Sequence, residues 1–209
     1  MENYVTVDKI SVGEYSEKHS RFIATLYPCD SKDKVAEILK EHRQKYWDAR
    51  HNVYAFVLKD NTSGFSDDGE PHGTAAKPVL DILSFSGITD ALVVVTRYFG
   101  GILLGTGGLV RAYSASAKAA VDSAERLLMT ECDTFSIKMP YSDQGKITNL
   151  IMQFDGIIEK TDFADDVTLD FAIDTESTES FNKKLCEITS AKIKAEFKSK
   201  KILPKPTKK

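Results

Sequence analysis

The stretch Ala91–Thr96 reads ALVVVT, six residues without a charge, and a glycine-rich segment follows it at once. A continuous apolar run of that length suits a strand buried on both faces, so it belongs at the centre of a sheet with cover above and below. Gly100 to Gly108 holds five glycines in nine residues, and Leu109 to Ala124 reads as a helix with six alanines. Such small side chains predict close packing of that helix on the sheet. The rest of the chain has to supply the other strands and the second layer.

Upstream, Val5 to Glu14 and Ser20 to Tyr27 read as strands, with Tyr15 to His19 as their turn. Asp30 or Ser31 can cap a helix running to about Arg43, with Val35, Ile38 and Leu39 facing the core. His51 to Leu58 (HNVYAFVL) reads as a buried strand, Asn61 to Gly73 as a polar loop, and Pro78 to Phe85 as a short helix.

The pattern becomes regular beyond Leu128 to Asp133, and ten of the twelve glycines lie before that point. Thr134 to Pro140 alternates like a strand. Ile147, Leu150, Ile151 and Phe154 make one apolar helix face over Asp143 to Phe154, and Gly156 ends it. Ile157 to Phe163 and Val167 to Ile173 read as strands about an Ala164-Asp165-Asp166 turn. A helix over Ser177 to Ile188 and a strand over Ile193 to Leu203 complete the order β-α-β-β-α-β, the split ferredoxin-like arrangement. The expected fold class is α+β, with domains at 1–130 and 131–203 and a basic tail at 204–209. The fold alone assigns no activity.

Bulk properties narrow the class. Apolar residues make up 42% of the chain and charged residues 28%, values of a soluble globular protein. No window approaches a membrane span, and Met1 to Ser11 lacks the apolar core of a secretory signal. Cys29, Cys132 and Cys186 are too few and too scattered for a disulfide framework or a zinc site. They read as buried small hydrophobes, and the setting as a reducing cytoplasm. The net charge of −3 hides an asymmetry. Ser142 to Glu187 carries 11 acids against 4 bases, whereas the last 12 residues hold six lysines and no acid. That tail is read as a solvated end kept from folding by Pro204 and Pro206, or as an electrostatic handle for RNA or another polyanion.

Two segments hold residues that packing alone does not require. Ser66 to Thr74 (SDDGEPHGT) gathers Asp67, Asp68, Glu70, His72 and Thr74 between glycines and a proline. Hard-ion ligation is available there, but the spacing is neither an EF-hand nor a zinc site, so no metal or cofactor is assigned. A turn rich in side-chain-to-backbone bonds that caps the next helix and a partner-contacting loop both remain open. The second segment is Thr96-Arg97-Tyr98-Phe99-Gly100-Gly101, continuing through Gly105, Gly107, Gly108, Arg111 and Tyr113. Glycines between a strand and a helix let backbone N–H groups converge. Arg97 and Arg111 can clamp an anion, and Tyr98, Phe99 and Tyr113 can stack on bases. The alternative is close strand–helix packing with the aromatics in the core. The Walker pattern fails because Thr106 stands where Lys belongs, and the dinucleotide pattern fails at Val110. There is no G-x-S-x-G. His19 and His42 read as surface or helix-edge residues, and His51 as a core histidine.

Together with Ala49-Arg50-His51-Asn52, the segments SDDGEPHGTA and VVVTRYFGGILLGTGGLVRAYSASA closely resemble the signature of the IMPACT family in its bacterial, YigZ-like, two-domain form. The resemblance covers the whole chain. Val53 departs from a frequent Cys, which argues against a shared catalytic thiol there, and Ala76 from a usual Gly. The family's N-terminal domain is similar to the second domain of a small-subunit ribosomal protein and to domain IV of elongation factor G. Its C-terminal domain is similar to another domain of that factor. The resemblance therefore implies a cytoplasmic regulator of translation that binds RNA, ribosome or a translation factor. Eukaryotic relatives regulate initiation through a kinase activator, but they carry a further partner domain, so that pathway is not carried over. A hydrolase using Asp68, Glu70 or His72, with or without a divalent ion, and a purely protein-binding module stand as alternatives.

Overall fold

The computed structural model describes residues 3–206, which fall into two compact units, Tyr4–Leu128 and Met129–Lys205. The first runs β1 (Tyr4–Val7), β2 (Ser11–Glu17), β3 (Ser20–Pro28), α1 (Lys32–Lys45), β4 (His51–Val57), β5 (Ser63–Ser66), α2 (Ala76–Phe85), β6 (Ala91–Tyr98), α3 (Gly105–Asp122). Five of these strands form an antiparallel sheet in the order β2-β3-β6-β4-β5, with the ALVVVT strand at its centre. Alternation along β6 divides the core. Ala91, Val93 and Val95 pack with Val79 and Leu83 of α2 and with Leu109, Ala112 and Tyr113 of α3. Leu92 and Val94 pack with Val35 and Leu39 of α1. One face of the sheet thus carries α1 and the other carries α2 and α3.

Several elements depart from the sequence reading. The expected strand Val5–Glu14 is two strands. β1 makes a parallel bridge from Val5 to Ile88, and the β2–β3 hairpin turns on Lys18 and His19 alone. Both turn residues have positive φ (46° and 64°), the geometry that matches strand twist in a two-residue hairpin. The loop Asn61–Gly73 contains β5, an edge strand whose short polar sequence carries no periodic signal. α3 starts at Gly105, not Leu109, so three glycines lie within its first turn. Helix and sheet approach closely at Gly13, where a Cβ would fall 2.2 Å from the Ala120 nitrogen.

The second unit runs β7 (Arg126–Met139, begun at the end of the first unit), α4 (Tyr141–Gln153), β8 (Ile157–Phe163), β9 (Val167–Asp174), α5 (Thr178–Thr189) and β10 (Glu196–Pro206). Its strands lie in the order β10-β7-β9-β8, the ferredoxin-like sequence expected from the β-α-β-β-α-β pattern. Phe135, Ile137 and Met139 alternate on β7 to meet Leu169 and Phe171 of β9 and Ile147, Ile151, Phe181 and Leu185 of the helices. β10 continues through Pro204 to Pro206, because an edge strand tolerates proline. Lys198, Lys200, Lys201 and Lys205 are ion-paired with Glu196, Glu131, Glu159 and Asp174, so the described part of the basic tail is neutralised in place. Residues 207–209 of that tail lie outside the described residues. Cys29 and Cys132 are buried as expected, whereas Cys186 is exposed on the outer side of α5, one position after the buried Leu185. Among the described residues no helix is long and apolar enough to cross a membrane.

Candidate functional site

The two chemistry-bearing segments meet at one end of the α2/α3 face. Arg97 is only 5% exposed, and its Nη1 donates to Glu70 Oε1 at 2.5 Å. The Tyr113 hydroxyl donates to the same oxygen at 2.8 Å. His51 stands opposite Arg97 in the β4–β6 register, with Nε2 3.8 Å from Glu70 Oε1. Its Nδ1 lies 2.8 Å from the Asp68 carbonyl oxygen. A carbonyl only accepts, so Nδ1 carries the proton and Nε2 faces the carboxylate. The walls are apolar: Phe22 meets Tyr113 edge-on at 5.1 Å, and the Arg97 guanidinium lies 5.4 Å from Phe22 and 5.5 Å from Phe99. Burial first, and then the Glu70 carboxylate, hold the Tyr113 hydroxyl strongly protonated.

The Asp67–Thr74 loop is a brace. Ala75, at the N-cap of α2, has no side chain to close it. Asp67 does so from a distance, accepting from Ala76 N at 2.8 Å and Gly73 N at 3.0 Å. Burial acts to raise the Asp67 carboxyl, but the Ala76, Gly73 and Ala75 N–H groups outweigh it and hold the carboxyl below its ordinary range. Asp68 Oδ2 accepts from Asn52 N at 2.6 Å, and Oδ1 faces Arg43 at 3.5 Å. Thr74 donates to the Pro71 carbonyl at 2.6 Å. His72 is 97% exposed, 3.5 Å from Asp67. Asp68, Gly69 and Gly73 all take positive φ, which lets the loop fold back over His51. Among the described residues no group of three or more His, Cys, Asp or Glu is placed to hold a metal ion.

The expected anion clamp is therefore divided. Arg97 is spent on Glu70, because a guanidinium inside the fold needs a counter-charge. Arg111 is exposed on α3 with no carboxylate partner among the described residues. Tyr113 is fully buried and offers no stacking face, Tyr98 is half-buried with its hydroxyl donating to Asp48 at 2.9 Å, and Phe99 is partly exposed. The glycines divide as well. Gly100 donates its N–H to Ser20 Oγ at 3.1 Å and lies so close to the β2–β3 hairpin that a Cβ would fall 2.1 Å from the His19 carbonyl carbon. Gly101 (φ 85°) and Gly105 (φ 71°) are left-handed, and Gly108 sits against the Leu104 side chain. Gly107 has open space, so nothing inside the fold requires it.

Sequence reasoning missed the roles of His51, Asn52 and Arg43, which reach the loop from other elements. It also misplaced His42, which is 2% exposed. Thr96 Oγ1 donates to Asn52 Oδ1 at 2.8 Å and therefore accepts from His42 Nε2 at 2.7 Å, so His42 Nδ1 accepts from the Tyr27 hydroxyl at 2.8 Å. Burial first, then Lys45 and Arg43, lower the His42 pKa to about 4. The helical spacing of Val35, Leu39 and His42 was the available signal.

A sequence profile for the Impact N-terminal domain matches residues 18–121, which include every group just described at the Glu70 cluster and the glycine turn. A second profile, for a domain of unknown function (DUF1949), matches residues 137–192. The chain is 32% identical to IMPACT family member YvyE of Bacillus subtilis, over 92% of this chain and 89% of that protein. It is 37% identical to IMPACT family member YigZ of Escherichia coli, over 82% of this chain and 86% of that protein. A solved structure, described only as the crystal structure of an hypothetical protein, aligns at 32% identity with a TM-score of 0.61, covering 95% of this chain and 98% of that one.

Proposed function

The chain belongs to the IMPACT family, and from that premise we propose that it is a cytoplasmic, translation-associated binding protein whose contact surface is the glycine turn and the start of α3. The observation that carries this reading is the partition of charge at the site. Asp67 and Asp68 are bonded to the backbone and Glu70 to Arg97, while Arg111 and the edge formed by Gly105, Thr106 and Gly107 face outward. These internal bonds hold the loop and the start of α2 in place behind that outward edge. The resemblance to ribosomal-protein and elongation-factor domains supports RNA, ribosome or a translation factor as the partner.

Co-sedimentation with the organism's own ribosomes at low and moderate salt tests this. The chain should travel with the ribosomes at low salt and be released as salt rises. Arg50→Ala with Arg111→Ala should weaken binding and flatten the salt dependence by about one charge per arginine. Protein left in the supernatant at every salt would sink direct ribosome binding.

A further inference from the structure

The turn between β6 and α3 presents more than glycines. Gly100 is fixed to the β2–β3 hairpin through Ser20 and by its contact with His19. Leu104 is fixed at the other end, packed against the core beneath α3. Between these anchors Gly101 turns the chain outward through a left-handed φ. Ile102 is then 46% exposed and Leu103 81%. Phe99 and Val110, flanking the turn in sequence, are also exposed. A mobile surface leucine would need no explanation. Here two bulky aliphatic side chains are held out from a backbone tied down on both sides, so the ordering cost of an insertion contact is met in advance.

Cations outnumber acids around this knob. Lys18 lies in the hairpin turn that Gly100 abuts, and Arg111 is in the second turn of α3. The Arg50 guanidinium lies 5.6 Å from the Phe99 ring centroid. None of the three cations has a carboxylate partner among the described residues. Two acids lie near them, Asp48, which accepts from Tyr98, and Glu17, which accepts from Tyr15. A local cationic rim on a chain of net charge −3 calls for an acidic partner. The aliphatic centre decides which kind. RNA presents unpaired bases to aromatic faces and guanidinium planes, whereas Ile102, Leu103 and Val110 are aliphatic. An apolar groove in a protein takes up all three.

We propose that Ile102 and Leu103 form an insertion knob for a protein partner with an apolar groove rimmed by carboxylates, which Lys18, Arg50 and Arg111 engage. This rests on reading the glycine turn as the contact surface, and it selects a protein at that surface over RNA.

The test pans a phage library of a small folded domain with a randomised surface groove on the immobilised full chain, with the Leu103→Ser chain as counter-selection. Enriched grooves should combine an apolar floor with Asp or Glu at the rim. A synthetic copy should bind the wild type and lose about tenfold in affinity against Leu103→Ser. Leu103 is exposed, so the variant should keep the wild-type circular dichroism spectrum. No enrichment over the counter-selection, or a basic consensus, overturns the proposal. So does a wild type that sediments as a dimer while Leu103→Ser sediments as a monomer, because the occupant is then a second copy. A photo-crosslinker at position 103 that marks RNA in the organism's ribosomes overturns the protein assignment and leaves the ribosome reading standing. Acidic–apolar enrichment without ribosome co-sedimentation does the reverse.

Discussion

At the scale of single residues, this protein depends on buried polar groups that answer one another. Arg97 and Glu70 are both almost wholly enclosed, so neither tolerates loss of its partner. Arg97→Met should cost about 3–5 kcal/mol, because Glu70 would remain buried with Tyr113 as its remaining close donor. Adding Glu70→Gln removes the stranded charge and should recover part of the loss. Urea midpoints for the two single variants and the double variant measure this, and simple additivity would contradict it. His42 gives a second expectation. Its folded pKa of about 4 lies below the ordinary 6.5, so the unfolded chain binds a proton in that interval and the folded chain resists it. The stability that this provides is complete above pH 6.5, declines as pH falls, and is lost by about pH 4. The span is worth roughly 3 kcal/mol. His42→Gln should flatten stability against pH over that interval. An unchanged slope would show that other groups carry it.

At the scale of elements, the turn into α3 separates glycines required by the fold from one that is not. Gly100→Ala drives a methyl into the His19 backbone and should destabilise the β2–β3 hairpin along with the turn. Gly107→Ala meets nothing within 4 Å and sits in a helix, so thermal unfolding should show it neutral or stabilising by up to about 1 kcal/mol. If Gly107 serves close approach of a partner, the same variant should weaken ribosome co-sedimentation while the fold gains. Unchanged binding would place the contact elsewhere on α3. The elements themselves were legible wherever periodicity was strong. β6, α1 and β9 follow their apolar spacing closely. β5 and the first turn of α3 were not legible, because a short polar edge strand has no period and glycines read locally as loop.

At the scale of the whole molecule, net charge says little about where a partner docks. The lysines of β10 look like a polyanion handle in sequence, yet those described are paired with acids brought beside them. The cations left unpaired at the candidate surface come from a hairpin, the residue before β4, and α3. The salt sensitivity expected with ribosomes therefore belongs to a local patch. That is why the test substitutes Arg50 and Arg111 and leaves the basic C-terminal strand intact.

The sequence by itself determined the α+β class, the central strand, the β-α-β-β-α-β order and the two segments where unusual residues gather. Each of these follows from local spacing, from alternation and helical periodicity to the glycines that allow turns. Only the tertiary structure decided what the charged residues do. Arg97, named as a clamp, became the counter-ion of Glu70, and His42, placed at the surface, became a buried link between Tyr27 and Thr96. Both outcomes depend on which strand lies beside which and on what is removed from water with them. Pairing of a buried charge is a property of neighbours distant in sequence, and no local pattern along the chain records it.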